Sequence, residues 1–449
     1  MVHARLLLFL LTAAACTASS TSDKSSGHPH PHGHPHPHHH HPRPHPPPHP
    51  HKHDHSLRLF IGTYNGIIYD YSYAPDTRSA KLVNNFTISA DASPSWLDLR
   101  FNAHKHPHRH HPHHAHHPHR HPQHRSLKKM YAVDESQPGH VYAISVERGT
   151  GKLTLEQTAN TGDGPVAIIT AGGPQRTSCL VTADYSAGSV SILPLKDNGA
   201  LAASKPTKTI KFHGTGPVTS RQGQSYVHQV VLDPLGVFIY APDLGADKIH
   251  VLEVPPSAAD DCSHIKRAFD VDVPAGSGPR HLAFFVAPGP KQSTYVYLTS
   301  ELANTVTAFK QDDHTGRLHQ IGEPLLALPP GTTYEGYIDG GPTASEVAVS
   351  SDGKFVLVGA RGSPDKLDHI AVFARSEEDG SLSWVDWYST EGQTVRHFSI
   401  TQDPASRFVV AGNQDSGSVI IYSRDATSGA LEKQTVITGL GNPAFAQLV

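Results

Sequence analysis

Short apolar segments separated by glycine, proline and aspartate recur along the chain from Leu57 onward. The clearest pair lies in Tyr226–Asp247, where HQVVL and VFIYAPD flank the turn Asp233-Pro234-Leu235-Gly236. This pattern predicts a β-hairpin with His228 where the first strand begins and Asp243 where the second ends. No long stretch has helical periodicity, so the chain is predicted to be all-β.

The hairpin recurs roughly every 50 to 70 residues, a spacing typical of a β-propeller in which each repeat is one four-stranded blade. Six repeats follow one another, and a seventh combines LRLFIGTYNG and IIYDYSY near the start with a strand near Ala444. We therefore predict a seven-bladed propeller over residues 57–449. Its ring is closed by the C-terminal strand joining the N-terminal blade, which leaves no open sheet edge along the ring. The first strands of the blades are predicted to begin at Ser95, Val166, His228, Arg280, Ser345, Arg396 and Ala444.

Histidine is used 37 times in 449 residues, and most of these histidines fall in two His/Pro tracts. Residues 21–56 bury too little apolar surface to fold and are predicted to be disordered, whereas residues 104–124 form an insertion within the propeller. Neutral imidazoles bind divalent metals, so incidental metal binding is expected in both tracts. No metal is expected to take part in catalysis. The candidate metal-binding residues are His38, His39, His40, His41, His110, His111, His113 and His114.

The N-terminus has the pattern of a secretory signal over residues 1–20: Arg5, then the apolar run Leu6–Leu11, then small residues. An uncleaved anchor is the alternative. No later apolar run reaches the length of about 20 residues that a membrane span needs. We therefore expect a secreted protein with no membrane span. An acceptor sequon makes Asn85 a candidate glycosylation site.

Two further observations bear on partners and on the compartment. The formal net charge of −3 gives no overall field that would recruit nucleic acid, so no nucleic-acid partner is expected. Cys179 and Cys262 could pair in an oxidising compartment, but the sequence alone leaves that question open.

The predicted blade geometry brings certain polar residues together. Because strands within a blade alternate in direction, the starts of first strands and the ends of second strands meet on one face, around the central channel. Arginines there suit a carboxylate or phosphate, and a histidine beside a carboxylate can move protons. Such residues can also hold blades together. His281 and His397 lie one position further on, where alternation predicts that they turn away from the channel and pack between blades. The candidate channel residues are His228, Asp243, Arg280, Glu301, Glu346, Arg361 and Arg396.

Several motifs, taken in order, resemble the seven-bladed propeller lactonase family, and the likeness covers nearly all of residues 57–449. The motifs are HQVVLDPLGVFIYAPDLGAD, GSGPRHLAF, TSELANTVTAF, SSDGKFVLVGARG, TVRHFSI and GNQDSGSVIIY. The family contains propeller-type 6-phosphogluconolactonases and fungal carboxy-cis,cis-muconate cyclases. The resemblance implies His228, Arg280, Glu301 and Arg361 as catalytic residues, and no cofactor. Arg396, Asp243 and Glu346 are added as candidate substrate-binding residues.

These observations favour an enzyme that hydrolyses or forms a lactone and acts on an anionic small molecule at the channel mouth. The sequence does not decide between hydrolysis and cyclisation. One alternative is a non-catalytic secreted propeller that serves in adhesion or binding and carries metal-binding His tracts. A second alternative is extracellular metal sequestration by the tracts alone.

Overall fold

The computed structural model describes residues 56–101, 127–147, 150–173, 175–289, 292–363 and 367–449. Asp54–Val449 forms one compact unit. The predicted signal, the N-terminal His/Pro tract and the His/Pro insertion lie outside the described residues. No helix within the described ranges has the length and apolar character needed to cross a membrane.

The described residues form 28 β-strands and three single-turn 3-10 helices, the latter at Pro75–Thr77, Pro256–Ala259 and Cys262–His264. The strands are β1 (Leu57–Thr63), β2 (Ile67–Ala74), β3 (Ser79–Thr87), β4 (Leu97–Phe101), β5 (Leu127–Asp134), β6 (His140–Val146), β7 (Leu153–Asn160), β8 (Pro165–Ala171), β9 (Cys179–Asp184), β10 (Ser189–Pro194), β11 (Lys208–Lys211), β12 (Val231–Leu232), β13 (Phe238–Asp243), β14 (Lys248–Glu253), β15 (Lys266–Asp272), β16 (Pro279–Val286), β17 (Thr294–Ser300), β18 (Thr305–Gln311), β19 (Leu318–Leu326), β20 (Thr343–Val349), β21 (Phe355–Arg361), β22 (His369–Arg375), β23 (Leu382–Ser389), β24 (Val395–Ile400), β25 (Phe408–Asn413), β26 (Ser418–Arg424), β27 (Leu431–Ile437) and β28 (Pro443–Leu448).

The strands assemble into seven antiparallel sheets of four strands, which confirms the predicted propeller. Blades 2 to 7 each use four consecutive strands, beginning with β4, β8, β12, β16, β20 and β24. Blade 1 has the order β28-β1-β2-β3, so a C-terminal strand completes the N-terminal blade as predicted. In that pairing Leu59 lies opposite Leu448 and Ile61 opposite Ala446.

The core lies between neighbouring blades, where the apolar faces of adjacent sheets pack together. Between blades 7 and 1, for example, Val410 and Val419 pack against Leu59, Ile61 and Ala446, all fully buried. Burial of such side chains contributes about 25 cal/mol per Å² of apolar surface. The repeated strand alternation therefore supplies a continuous apolar layer around the ring, and polar side chains accumulate at the strand ends.

A disulfide bond connects blades 3 and 4. Cys179 begins β9, and Cys262 lies in a 3-10 helix after β14, with a Cα–Cα distance of 5.7 Å. Both residues are buried. The structure thus answers the pairing question that the sequence left open.

The hairpin in Tyr226–Asp247 is confirmed, but its first strand is short. Strand β12 has two residues, and an isolated bridge pairs Val227 with Asp243. Gly236 closes the turn with φ +78°, a backbone conformation that favours glycine. His228 lies in the irregular stretch between the bridge and β12, where its backbone N–H donates to the Pro242 carbonyl at 2.9 Å.

Candidate functional site

β-Bulges place the polar residues at the starts of the first strands. In blades 1, 3, 5, 6 and 7 the register between the first and second strand shifts near the start of the first strand. The extra residues are left out of the ladder, so their side chains are redirected relative to strict alternation. They are Ala444, Val166, Arg280, Ser345 with Glu346, and Arg396.

Contacts between blades that are not neighbours mark the axis of the ring. The Trp96 indole of blade 2 makes edge contacts with His281 of blade 5 and His397 of blade 7, with ring centroids 5.4 and 5.0 Å apart. Arg396 of blade 7 donates to Glu135 of blade 2 at 2.9 Å. Residues from such distant blades can meet only around the central channel, so these contacts locate the site at the channel.

Three arginines surround one buried carboxylate. Glu301 accepts from Arg280 Nε at 2.9 Å and from Arg221 at 2.6 Å, and a guanidinium nitrogen of Arg361 lies 3.0 Å away. Burial alone would raise the pKa of Glu301. The charges of Arg361, Arg280 and Arg221 outweigh burial and lower that pKa to about 2. Glu301 is therefore ionised at neutral pH and holds the three guanidinium groups together.

This arginine cluster carries more positive than negative charge. The Arg280 side chain is 1% exposed, and burial followed by the nearby charge of Arg361 lowers its pKa to about 10. Arg361 and Arg221 are more open, with side chains 15% and 28% exposed. Arg361 Nε has no hydrogen-bond partner among the described residues. Because three cations face one carboxylate, the cluster can bind an additional anionic group.

A row of buried histidines lies beside the arginines. His228 Nδ1 is 3.2 Å from His281 Nε2, and His281 Nδ1 is 2.8 Å from Glu346 Oε1. His397 Nε2 lies 3.6 Å from the other Glu346 oxygen. Burial, reinforced by the positive charge of Arg280, lowers the pKa of His228 and of His281 well below the usual value. Both imidazoles are therefore neutral at pH 7, the form in which a histidine can accept a proton.

A second ion pair joins three blades on another part of the channel. Arg396 donates to Glu135, Tyr64 Oη donates to Glu135 Oε2 at 2.6 Å, and the Arg396 guanidinium lies 5.3 Å from the Tyr64 ring centroid. Burial lowers and Glu135 raises the pKa of Arg396, and the net direction is upward. This pair is balanced in charge, unlike the arginine cluster.

Two tyrosines provide an aromatic wall next to His228. Tyr185 and Tyr226 stack with centroids 4.7 Å apart, and Tyr185 contacts the His228 ring at 5.3 Å. Tyr337, in the segment between β19 and β20, accepts from Arg221 at 3.2 Å. Aromatic rings therefore lie beside His228 and beside Arg221, one member of the arginine cluster.

The prediction that His281 and His397 face away from the channel is wrong. Arg280 and Arg396, which precede them, are the extra residues of β-bulges. Strict alternation therefore fails at these points. His281 contacts Arg280, and His281 and His397 both lie beside Glu346. Glu346, predicted to bind substrate, lies buried between the two histidines.

Asp243 is not part of this cluster. Its carboxylate is fully buried and stabilises the hairpin turn of blade 4. It accepts hydrogen bonds from the Ser225 hydroxyl and from the backbone N–H groups of Tyr226, Gly245 and Ala246. His250 Nε2 lies 3.0 Å from the same carboxylate.

Register explains this placement. Asp243 is the last paired residue of its second strand, opposite Lys248. The equivalent residue in blade 5 is Ser300, opposite Thr305, and Glu301 comes one residue later. A shift of one residue turns a side chain to the other face.

The sequence interpretation also left residues out of the site. Arg221 and Tyr337 come from segments between blades and have no counterpart in the repeat, so nothing in the pattern singles them out. Glu135 could have been found, because it follows Asp134, the last paired residue of its hairpin, as Glu301 follows Ser300. Among the described residues, no group of three His, Cys, Asp or Glu side chains is arranged to hold a metal ion. The His tracts lie outside the described residues, so their metal binding stays a prediction.

Together these features define a seven-bladed propeller with an arginine-rich, histidine-bearing site at its axis. The chain belongs to the family described as "Lactonase, 7-bladed beta-propeller", whose model matches residues 123–446. This membership confirms the resemblance read from the motifs. It also identifies the chain as a lactonase-type enzyme.

Similar proteins agree with this assignment. The 6-phosphogluconolactonase of Bacillus subtilis is 29% identical over 304 residues, which cover 67% of this chain and 78% of that protein. The 6-phosphogluconolactonase of Formosa agariphila is 27% identical over 309 residues, covering 68% of this chain and 81% of that protein. The solved structure of the periplasmic gluconolactonase of Pseudomonas aeruginosa has a TM-score of 0.70 and 27% identity, covering 88% of this chain and 99% of that one.

Proposed function

We propose that the protein hydrolyses the lactone of a sugar acid that carries a phosphate or carboxylate group. The observation that carries this proposal is a neutral histidine beside a cluster of three arginines that share one carboxylate. Relatives named 6-phosphogluconolactonase support a phosphorylated sugar lactone as the substrate class. No cofactor enters the reaction that we derive.

The side chains divide the work by their exposure. Arg361 and Arg221, which are partly open, bind the substrate anion through charge-assisted hydrogen bonds. His228 accepts a proton from water, and the resulting hydroxide attacks the lactone carbonyl carbon. Arg280, buried next to the histidines, stabilises the negative charge that develops on the carbonyl oxygen. The bond from the carbonyl carbon to the ring oxygen then breaks. The ring oxygen takes the proton that His228 received from water and becomes a hydroxyl. The new carboxylic acid group loses its own proton to solvent, and the product leaves as a carboxylate.

Replacing Arg361 tests the anion-binding role. Arg361→Gln should lower kcat/KM for 6-phosphogluconolactone by about 10- to 100-fold, because a hydrogen bond to a charged group contributes about 1.5–3 kcal/mol. The loss for the uncharged gluconolactone should stay within about threefold, since no anion is bound. Initial rates of lactone disappearance measure kcat/KM for the two substrates. Equal losses on the two substrates would contradict the proposal.

Two comparisons complete this experiment. Arg407→Gln removes an exposed arginine on the Asp403 turn and should leave both rates unchanged. Assays with 3-carboxy-cis,cis-muconate test the lactone-forming direction, in which the same arginines would bind carboxylates. Turnover of the muconate alone would replace hydrolysis by cyclisation as the function of this site.

We also propose that the protein is exported. The disulfide bond is typical of an oxidising compartment, and the N-terminus has the pattern of a signal peptide. Asn85 is exposed on β3, the outermost strand of blade 1, where a glycan would have room. In a yeast host the secreted protein should begin near residue 21 and lose a glycan mass in Asn85→Gln. Retention inside the cell with an intact Met1 would contradict export.

A further inference from the structure

The row from Glu346 through His281 to His228 is more extensive than substrate binding requires. Its contacts span three blades, and all three side chains are buried. The negative charge of Glu346 would repel an anionic group of the substrate. The row ends at the histidine that we propose as the base. Its function should therefore be sought in its effect on His228.

A backbone group fixes the tautomer of His397, the histidine on the other side of Glu346. The Ala446 N–H donates to His397 Nδ1 at 3.2 Å, so this nitrogen is an acceptor and the His397 proton lies on Nε2. The His397 Nε2–H faces Glu346 Oε2, and the nitrogen and oxygen atoms are 3.6 Å apart. The Val347 backbone N–H donates to Glu346 Oε1 at 3.1 Å. Glu346 Oε1 therefore accepts from a backbone donor, whereas Oε2 makes no hydrogen bond to the described residues.

The charge state of Glu346 reflects two opposing effects. Burial raises the pKa of the Glu346 carboxyl group, and the positive charge of Arg280 and the Val347 N–H offset only part of this rise. The His397 Nε2–H, whose nitrogen lies 3.6 Å from Oε2, favours the anion. An ionised Glu346 then accepts from His281 Nδ1.

The orientation of the hydrogen bonds passes along the row from there. If His281 Nδ1 carries the proton, its Nε2 has a lone pair, which matches its position 3.4 Å from an Arg280 guanidinium nitrogen. His228 Nδ1 lies closer, at 3.2 Å, and donates to the same lone pair, which the two donors share. His228 therefore carries its proton on Nδ1 and keeps the lone pair on Nε2. The tautomer of a histidine is set by the partner of its other nitrogen.

We propose that Glu346 and His281 are positioning residues that hold His228 in its Nδ1–H tautomer, so that Nε2 takes the proton from the attacking water. This inference rests on the proposed hydrolysis and adds two residues to it. When Nε2 gains that proton, His228 becomes an imidazolium whose Nδ1–H still donates to His281. Glu346 then acts as the buried anion behind the pair. Trp96, in edge contact with His281 and His397, keeps both rings in place.

The groups around His228 determine the expected sign of the pH effect. The cations act against protonation of His228, and the Glu346 charge acts in favour of it through His281. Without the Glu346 charge, the base should be weaker and the imidazolium formed in the reaction less stable. The charged and titratable groups that face His228 are Arg280 and His281 on β16, Arg396 on β24, and Tyr185 between β9 and β10.

The test is Glu346→Gln in the full chain, with 6-phosphogluconolactone as substrate. The acid limb of kcat/KM against pH should move to lower pH by about one unit, and the plateau of kcat should fall by about 10- to 100-fold. KM should change by less than about twofold, because the arginines that hold the anion are untouched. An unchanged acid limb would overturn the proposal, whatever happens to the plateau.

Asp233→Asn is the matched control for stability. Asp233 is also a fully buried carboxylate, but it accepts from Val237 N and Phe238 N in the turn between β12 and β13, away from the histidines. This variant should melt at a lower temperature and leave the acid limb where it is. If Glu346→Gln behaves in the same way, Glu346 has only a structural role.

A second measurement needs no substrate. Nitrogen-15 NMR of the histidine rings reports which ring nitrogen carries the proton, and a difference spectrum against His228→Gln assigns the His228 signals. We expect protonated Nδ1 and unprotonated Nε2 in the unmodified protein, and a mixture of tautomers in Glu346→Gln. A proton on His228 Nε2 in the unmodified protein would overturn the inference even if lactones are hydrolysed. The expected tautomer with no lactone hydrolysed would instead count against the proposed function alone.

Discussion

Replacing His228 with asparagine should lower kcat for lactone hydrolysis by about 10³-fold, within the range that general-base catalysis contributes. The asparagine amide can still donate to His281 Nε2, as His228 Nδ1 does at 3.2 Å, so the buried row keeps its hydrogen bond. Asparagine has no lone pair of comparable basicity to accept the proton from water. KM should stay close to its original value, because Arg361 and Arg221 still bind the anion. Initial rates and a thermal melt provide the measurement.

His264→Asn is the control for this change. His264 lies exposed in the 3-10 helix Cys262–His264, outside the channel, and its replacement should leave kcat unaltered. If His228→Asn hydrolyses the lactone as fast as the unmodified protein, the base is another group. The arginine cluster would then have to be re-examined with a different nucleophile.

Replacing Glu301 with glutamine should lower the free energy of unfolding by about 3 kcal/mol at pH 7. The carboxylate balances three guanidinium groups, and its pKa falls from the ordinary 4.5 to about 2 in the folded protein. A shift of this size corresponds to about 1.4 kcal/mol per unit. Glutamine fills the same space but leaves Arg221, Arg280 and Arg361 without their shared anion.

The same variant has a defined pH dependence. Because the folded-state pKa of Glu301 is lowered, its contribution to stability is complete above pH 4.5 and is lost as the pH falls toward 2. Urea unfolding of both proteins should therefore show a large difference at pH 7 that closes on acidification. A difference that stays constant down to about pH 2 would mean that the charge of Glu301 is not its source.

An exposed ion pair serves as the comparison. Glu432 is 67% exposed and lies 2.9 Å from Arg78. Surface pairs of this kind contribute about 0–1 kcal/mol, so Glu432→Gln should change the unfolding free energy little at any pH. The contrast separates the effect of a buried, shared carboxylate from the loss of a carboxylate in general.

The sequence predicted the fold well, because the features that define a blade are local and repeated. Each hairpin has its own apolar alternation and turn residues, and Pro443–Leu448 has the same pattern as the other first strands. Arg280, Glu301, Arg361 and His228 were found because they lie at the starts of first strands or the ends of second strands, and because the family resemblance implies the same positions. The structure brings these four residues into one connected network.

The errors arose where a single residue decides the direction of a side chain. A β-bulge adds a residue without leaving a mark in the hydrophobic pattern, so His281 and His397 were turned to the wrong face. Asp243 was assigned to the channel through a register error of one residue. Arg221 and Tyr337 belong to segments between blades, where position depends on the assembled ring rather than on local pattern.

Ring closure in blade 1 also affects the order in which the protein matures. Strand β1 pairs with β28 across nearly the whole length of the propeller, as in Leu59 opposite Leu448, and such distant pairings form slowly and late in folding. Six blades can assemble from neighbouring hairpins before that step. The Ala446 N–H reaches His397 from β28, so the His397 ring gains this partner only when the ring of blades closes. During refolding, turnover should return with the closing of the ring and not with the bulk of the secondary structure.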